Sequence, residues 1–228
     1  MRTTPRSIHQ TSNGLEDHEG LFSRVLTKLN SLWVVATYPF ASAGCNLSLH
    51  YASEISRSRA TRIQLGNHVE IGKHTWLHLG MEGEHALKIT IEDDCRIAAR
   101  CTITAKNSIH LEREVVLAPD VLIMDHAHAY QDLSRPIKTQ GSTAGGRIRI
   151  REGCRIGHGA AILCDKGELI LGRNCVVAPG TVVTRSFPPD SVLSGNPARA
   201  VQKLGMRHAS AEQESLRRTE VELAKRGG

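Results

Sequence analysis

An aliphatic residue returns every six positions along most of this chain, and no other feature constrains its fold as strongly. Such residues fall at Leu65 and Ile71, at Ile91, Ile97 and Ile103, and at Leu111, Leu117 and Ile123. They recur at Ile150, Ile156 and Ile162, and at Leu171, Val177 and Val183. The residue four places later is small or β-branched in nearly every unit: Val69, Thr75, Cys95, Cys101, Val115, Val121, Cys154, Ala160, Cys175 and Thr181. The residue directly after the aliphatic is Gly or Ala at 66, 72, 98, 118, 157, 172 and 178, but not at Glu92, Thr104, Glu112, Met124, Arg151, Leu163 or Thr184. Self-similarity at a fixed short period is the mark of a solenoid, because one unit cannot bury its own apolar face and must stack on the next.

Each six-residue unit supplies a short strand and a turn, and three units close a triangular coil. The chain therefore reads as all-β, a parallel β-helix of about five coils, roughly 24 Å long at about 4.8 Å per coil. Aromatic residues are only 4% of the chain while apolar residues are 40%. Such a core is filled by stacked aliphatics rather than by large rings. Cys95, Cys101, Cys154 and Cys175 all stand in the small-residue column and read as compact apolar fillers rather than metal ligands or disulfides. Period six does not set the hand of the coil, and parallel crossovers in general are right-handed in about 98% of cases.

The solenoid is expected over residues 61–203, after an N-terminal helical or irregular segment, 1–60, and before a charged C-terminal helix or tail, 204–228. Leu21, Phe22, Val25, Leu26, Leu29, Leu32, Trp33 and Val34 have amphipathic-helix spacing, ending before Pro39. That helix is expected to cap the first coil, with a membrane-surface role as the alternative. The C-terminal helix is placed at Ala209 to Arg226. No stretch approaches the ~18 apolar residues of a membrane span, and the first twenty residues lack an apolar run, so cytoplasmic placement with reduced cysteines is the expectation. The net charge of +6 suits an anionic partner. No zinc-finger spacing or aromatic-basic motif points to nucleic acid, and a small phosphorylated cofactor would use the same charge.

Two interruptions break the period. The first runs from about His78 to Lys88. The second lies between Ile123 and Ile150 and packs Asp125, His126, His128, Tyr130, Asp132 and Arg135 into a few residues before the Gly-rich run Gly141 to Gly146. A long excursion from a tight repeat is usually functional or disordered, and this density of polar chemistry argues for function. Three extra residues also appear around Cys164 to Leu169.

The run from Gly153 to Arg199, above all Thr184-Arg-Ser-Phe-Pro-Pro-Asp-Ser-Val-Leu-Ser-Gly-Asn-Pro-Ala-Arg199, resembles the end of a hexapeptide-repeat acetyltransferase. Asp125-His-Ala-His128 resembles the active-site segment of the galactoside, maltose and polysaccharide O-acetyltransferases. The resemblance covers residues 60 to 203 and implies a left-handed coil and a homotrimer with sites between subunits. It also implies acetyl-CoA as co-substrate and a sugar or saccharide acceptor. Galactoside-type members carry asparagine near the place of Ala98, which weakens a galactoside assignment.

Acetyl transfer to a hydroxyl needs a base, oxyanion donors and a groove that holds both substrates, but no enzyme nucleophile. Imidazole suits the base, since it titrates near neutrality. Counting five from Ile123, as the resemblance suggests, reaches His128. His126 is the alternative, and Asp125 or Asp132 would orient the ring. Tyr130, Asp132 and Arg135 would line the acceptor site or anchor the loop. Backbone amides before Arg147 are candidate oxyanion donors. For CoA the resemblance indicates His158, Gly159, Ala178, Thr184, Arg185 and Arg199, with the arginines on phosphates. Transfer to an amine of an amino sugar or antibiotic is the nearest alternative. A carbonic-anhydrase-like hydratase using His68 and His74 is a more distant one; no metal site is assigned.

Overall fold

The computed structural model describes residues 21–80 and 87–205. The expected C-terminal helix lies outside the described residues. A three-sided parallel β-solenoid of about six turns occupies most of the rest. Its first face stacks Ser42–Ala43, Ile63–Leu65, Ile89–Ile91, Ser108–Leu111, Gly145–Ile150 and Lys166–Leu171. The second stacks Ser48–Leu49, Glu70–Ile71, Arg96–Ile97, Val116–Leu117, Arg155–Ile156 and Val176–Val177. The third stacks Glu54–Ile55, Trp76–Leu79, Thr102–Ala105, Leu122–Met124, Ala161–Leu163 and Val182–Val183. Ser42–Ala43 already pairs with Gln64 and Leu65, so one coil precedes residue 61 and the count rises from five to six.

The hexad aliphatics register directly above one another, as in Ile71–Ile97–Leu117–Ile156–Val177, and all are 2% exposed or less. The small-residue column lies just ahead of the strands. There Cys95, Cys101, Cys154 and Cys175 are buried. Each thiol donates to a carbonyl of the next coil, at Glu112, Ala118, Gly172 and Pro188 respectively, over 3.0–3.3 Å. Burial pushes the Cys95 thiol up to about 12 and Cys101 to about 11, so both remain thiols at neutral pH.

The turns bend through the left-handed region. Asn46, His68, Asp94, Glu114 and Asn174 hold φ of 54–59° ahead of the second face, and His74, Arg100 and Asp120 hold φ of 55–62° ahead of the third. Asn and Asp tolerate this conformation best. His68 and His74 are thus equivalent turn residues. His68 Nδ1 meets Asp94 at 3.2 Å, and among the described residues no group of three or more His, Cys, Asp or Glu could hold a metal.

Helix Leu21–Thr37 covers the open end of the first coil, but not through its leucines. Its inward residues are Thr27, Ser31 and Val34. Ser31 Oγ accepts from the Leu49 amide at 2.8 Å, and Asn30 Nδ2 donates to the Leu49 carbonyl at 3.0 Å. An end strand leaves backbone groups unpaired, and polar side chains satisfy them better than leucine. Phe22, Leu29, Leu32 and Trp33 remain more than half exposed. At the far end Ser191–Ser194 turns back antiparallel with Arg199–Lys203 and ends the stack. No described helix is long and apolar enough to cross a membrane.

Candidate active site

The second interruption leaves the solenoid at the corner where the third face passes to the first. Strand Leu122–Met124 ends, and the next residue, Asp125, turns inward and is completely buried. Its Oδ1 accepts from the Lys106 amide at 2.7 Å, and its Oδ2 from the Asn107 and Ser108 amides at 2.7 and 2.9 Å. These three consecutive amides belong to the same corner of the preceding coil. A buried carboxylate is tolerable only when hydrogen bonds replace its water, and here the backbone does so. Oδ1 also lies 2.9 Å from His126 Nδ1.

That contact orients the ring. With Nδ1–H donating to the carboxylate, Nε2 is the nitrogen left to accept a proton. The His126 side chain is 19% exposed, so it can reach a bound molecule without being loosely solvated. His78 joins it from the third face. It stands in the row His78–Thr104–Met124 with its ring centroid 4.6 Å from that of Trp76. Burial, then Arg59 and His126, hold His78 below the ordinary histidine pKa. Sequence reading had not singled out His78; its outward-facing position next to the loop is set by coil alignment across the first interruption.

The excursion is a stapled hairpin. Ala129 N donates to Gly141 O, Thr143 N to Ala127 O, and Lys106 Nζ to Ser142 Oγ and Thr143 O. His128 is exposed, its backbone bridges Ser142, and its imidazole has no hydrogen-bond partner among the described residues. At the tip Asp132 receives Arg135 Nε at 2.7 Å and Ser134 Oγ at 2.5 Å, and these bonds hold its carboxyl below the usual range. Gln140 Nε2 donates to the Asp132 and Arg135 carbonyls. Asp132 and Arg135 thus hold the loop's shape, and Tyr130 projects to solvent. The Gly146 amide, a candidate oxyanion donor, is already engaged by the carbonyls of Asp125 and Cys164.

The residues indicated for CoA fall in two places: Thr184 and Arg185 share the third-to-first corner two coils on from Asp125, and the others lie at the far edge of the third face. His158, Gly159 and Ala178 lie in the turns between the second and third faces, where the Gly180 amide donates to His158 O at 2.9 Å. His158 Nδ1 is 3.5 Å from Asp120 Oδ2. Thr184 and Arg185 follow the last strand of the third face, with the Arg185 guanidinium 4.9 Å over the Phe187 ring. Arg199 opens the final strand. All but Ala178 of the six are exposed. Within one chain, then, the His126 corner and the His158–Ala178 turn sit at opposite edges of the third face.

Comparison with known proteins agrees with this architecture. The hexapeptide repeat of succinyl-transferase matches residues 88–121 and 147–185. A serine acetyltransferase of Salmonella typhimurium is 32% identical over 131 residues, 54% of this chain and 46% of that protein. A probable acetyltransferase of Mycobacterium tuberculosis is 29% identical over 159 residues, 68% of this chain and 50% of its own length. The chain spans about half the length of these curated relatives. Among solved structures, AntD, an N-acyltransferase from Bacillus cereus in complex with dTDP and 3-hydroxybutyryl-CoA, superposes with a TM-score of 0.62 at 18% identity, over 85% of this chain and 95% of that one. The same enzyme with dTDP-4-amino-4,6-dideoxyglucose and coenzyme A gives 0.63. In its repeat, its fold and its sequence, this chain is similar to the hexapeptide-repeat acetyltransferases.

Proposed function

We propose that the protein transfers an acetyl group from acetyl-CoA to a hydroxyl of a sugar or polysaccharide precursor, with His126 as the general base. The observation that carries this reading is the buried Asp125 carboxylate on His126 Nδ1. The acceptor oxygen attacks the thioester carbonyl while Nε2 takes its proton. The tetrahedral intermediate then collapses, and the same proton passes to the departing CoA thiolate. Asp125 keeps the ring in the required tautomer and orientation throughout. Both His126 and His128 lie on the loop, and the geometry favours His126, because only its ring is held by a carboxylate.

His158, Gly159 and Ala178 are the proposed contacts of the pantetheine arm, with Arg185 and Arg199 on the CoA phosphates and Thr184 between them. Because the His158–Ala178 turn lies a whole face away from the histidine corner, while Thr184 and Arg185 follow the third face at the histidine's own edge, a second copy bringing its His158–Ala178 turn to this corner would complete the site. A homotrimer of left-handed coils, with sites between neighbours, meets that need. An amine acceptor is the second reading. AntD is an N-acyltransferase whose structure contains an amino-sugar nucleotide, and a base that accepts a proton from a hydroxyl accepts one from an ammonium-derived intermediate equally well.

Release of CoA thiol from acetyl-CoA, measured against a panel of sugars, amino sugars and nucleotide sugars, tests the reaction and its acceptor. Acceleration by a hydroxyl-only acceptor supports O-transfer, and acceleration by amino sugars alone supports the second reading. No acceleration by any acceptor, with no CoA binding, would remove the acyltransferase assignment. Light scattering is expected to give three times the 24.9 kDa chain mass; a clean monomer contradicts the shared site.

A further inference from the structure

Beside the Asp125 corner runs a groove of about 760 Å³ that neither the repeat nor the proposed base explains. It follows the solenoid axis over four coils, and one row of side chains crosses it. Ser108 is in register with Arg147, and Arg147 with Glu168. Lys88 precedes Ile89, the partner of Ile109, and is therefore level with Ser108. The next residues in the row, Ile89, Ile109, Ile148 and Leu169, are all buried in the core. By strand alternation Lys88, Ser108, Arg147 and Glu168 face outward. At about 4.8 Å per strand, the Lys88 and Arg147 backbones stand roughly 10 Å apart.

The row brings two cations to one groove, with Glu168 beside Arg147 at its end. Lys88 is only 6% exposed, its ammonium donates to the Lys106 carbonyl, and burial followed by the Arg62 charge lowers its pKa. Among the described residues no carboxylate forms an ion pair with Lys88 or Arg147. The Lys106 carbonyl and the nearby Asp125 charge compensate this buried ammonium in part, and an anion in the groove would add to them. Gly145, Gly146 and Gly167 line the groove, and Gly146 allows the close approach of the next coil, since a Cβ there would stand 2.4 Å from the buried Cys164 Sγ. The extra residues around Cys164 to Leu169 lengthen the strand Lys166–Leu171 that forms this end of the groove. Its wall adjoins the Asp125 corner, since Asn107 and Ser108, which line it, are residues whose amides bind Asp125.

We propose that this groove holds the phosphate-bearing part of the acyl acceptor, a phosphorylated or nucleotide-linked saccharide, between Lys88 and Arg147, with the sugar directed toward His126. The inference rests on the acyltransferase reading and adds the class of acceptor. Phosphate oxygens bridge the ammonium and the guanidinium, which suits a diphosphate at this spacing. Glu168, at the end of the row, is placed to accept hydroxyl hydrogens. CoA carries the same chemistry, so the test separates the two sources.

Titration calorimetry on the full chain would compare uridine diphosphate, glucose and CoA, in the wild type, in Arg147→Ala and in Lys88→Gln. Circular dichroism would confirm that Lys88→Gln folds; Arg147 is exposed and its variant carries the test if Lys88→Gln does not. The expected result is uridine diphosphate binding that weakens tenfold or more in Arg147→Ala, little binding of glucose, and CoA affinity unchanged. Absence of uridine diphosphate binding, or equal binding by wild type and Arg147→Ala, overturns the proposal. So does a parallel loss of CoA affinity, which would make the groove a cofactor site. Failure of CoA to bind the wild type strikes instead at the acyltransferase reading, and is read independently of the diphosphate result.

Discussion

The turn between the second and third faces and the corner between the third and first grow from the same repeat, but they are held in opposite ways. In the turn, Ala98, Ala118, Gly157 and Ala178 stack, and each amide donates to the coil above: to Leu117, Ile156, Val177 and Leu193 carbonyls at 2.8–3.0 Å. The spacing leaves no room for growth, since a Cβ on Gly157 would lie 2.7–2.8 Å from backbone atoms of Val177, Ala178 and Pro179. At the corner the repeat is abandoned for an excursion of about twenty residues, and one buried carboxylate replaces the ladder. The turn is specified by what is absent from its side chains, the corner by what a single side chain supplies. The first kind of region offers a smooth surface along which a flexible arm can lie. The second holds the His126 ring in one orientation.

Asp125→Ala is the sharpest way to break this contrast. It leaves three consecutive amides and the His126 ring without their acceptor, and each buried unpaired donor costs about 1–3 kcal/mol. A loss of about 3 kcal/mol or more in urea unfolding is expected, with acetyl transfer lost too. Unchanged stability would mean that the hairpin staples, not the carboxylate, hold the corner. At the turn, Gly157→Val must force coils apart and should cost about 2 kcal/mol, with CoA affinity falling because the neighbouring surface shifts. Intact CoA binding in that variant would separate the cofactor site from this turn.

The smallest effect is expected in the core column shared by both regions. Cys95→Ala and Cys101→Ala should each cost about 1 kcal/mol and leave turnover intact, because these thiols fill space and donate to turn carbonyls. Alkylation of the folded protein should label Cys45, the one exposed cysteine. Loss of turnover in a folded cysteine variant would reveal a covalent step that the mechanism lacks.

The same contrast explains how far reading the sequence reached. The hexad aliphatics and the cysteine column were readable because a solenoid repeats its environment every coil. The first coil carries the spacing only at Leu49 and Ile55, because its first inward position is Ala43, only partly buried, and a count from Leu65 leaves them out. The helix Leu21–Thr37 was readable from its spacing. Its docking face was not, because hydrogen bonds from Ser31 and Asn30 to an end strand leave no hydrophobic signature. Asp125, His126 and His128 stand out as a cluster, and counting from Ile123 favours His128, whereas the base proposed from the geometry is His126. What distinguishes His126 is a carboxylate whose own partners, the amides of Lys106 to Ser108, belong to a different coil. His78, Lys88 and Arg147 gain their significance only through lateral register, and the first interruption hides that register from a count along the chain.

The central claim, that Asp125 makes His126 the base, is tested most directly by the turnover of His126→Ala beside that of His128→Ala. Both would be assayed by thiol release from acetyl-CoA with the best acceptor of the panel, after CoA affinity has been shown unchanged in each. Loss of a positioned base costs about 10²–10⁴ in rate. The account predicts that fall in kcat for His126→Ala and less than about tenfold for His128→Ala. Normal turnover by His126→Ala with loss in His128→Ala would contradict it.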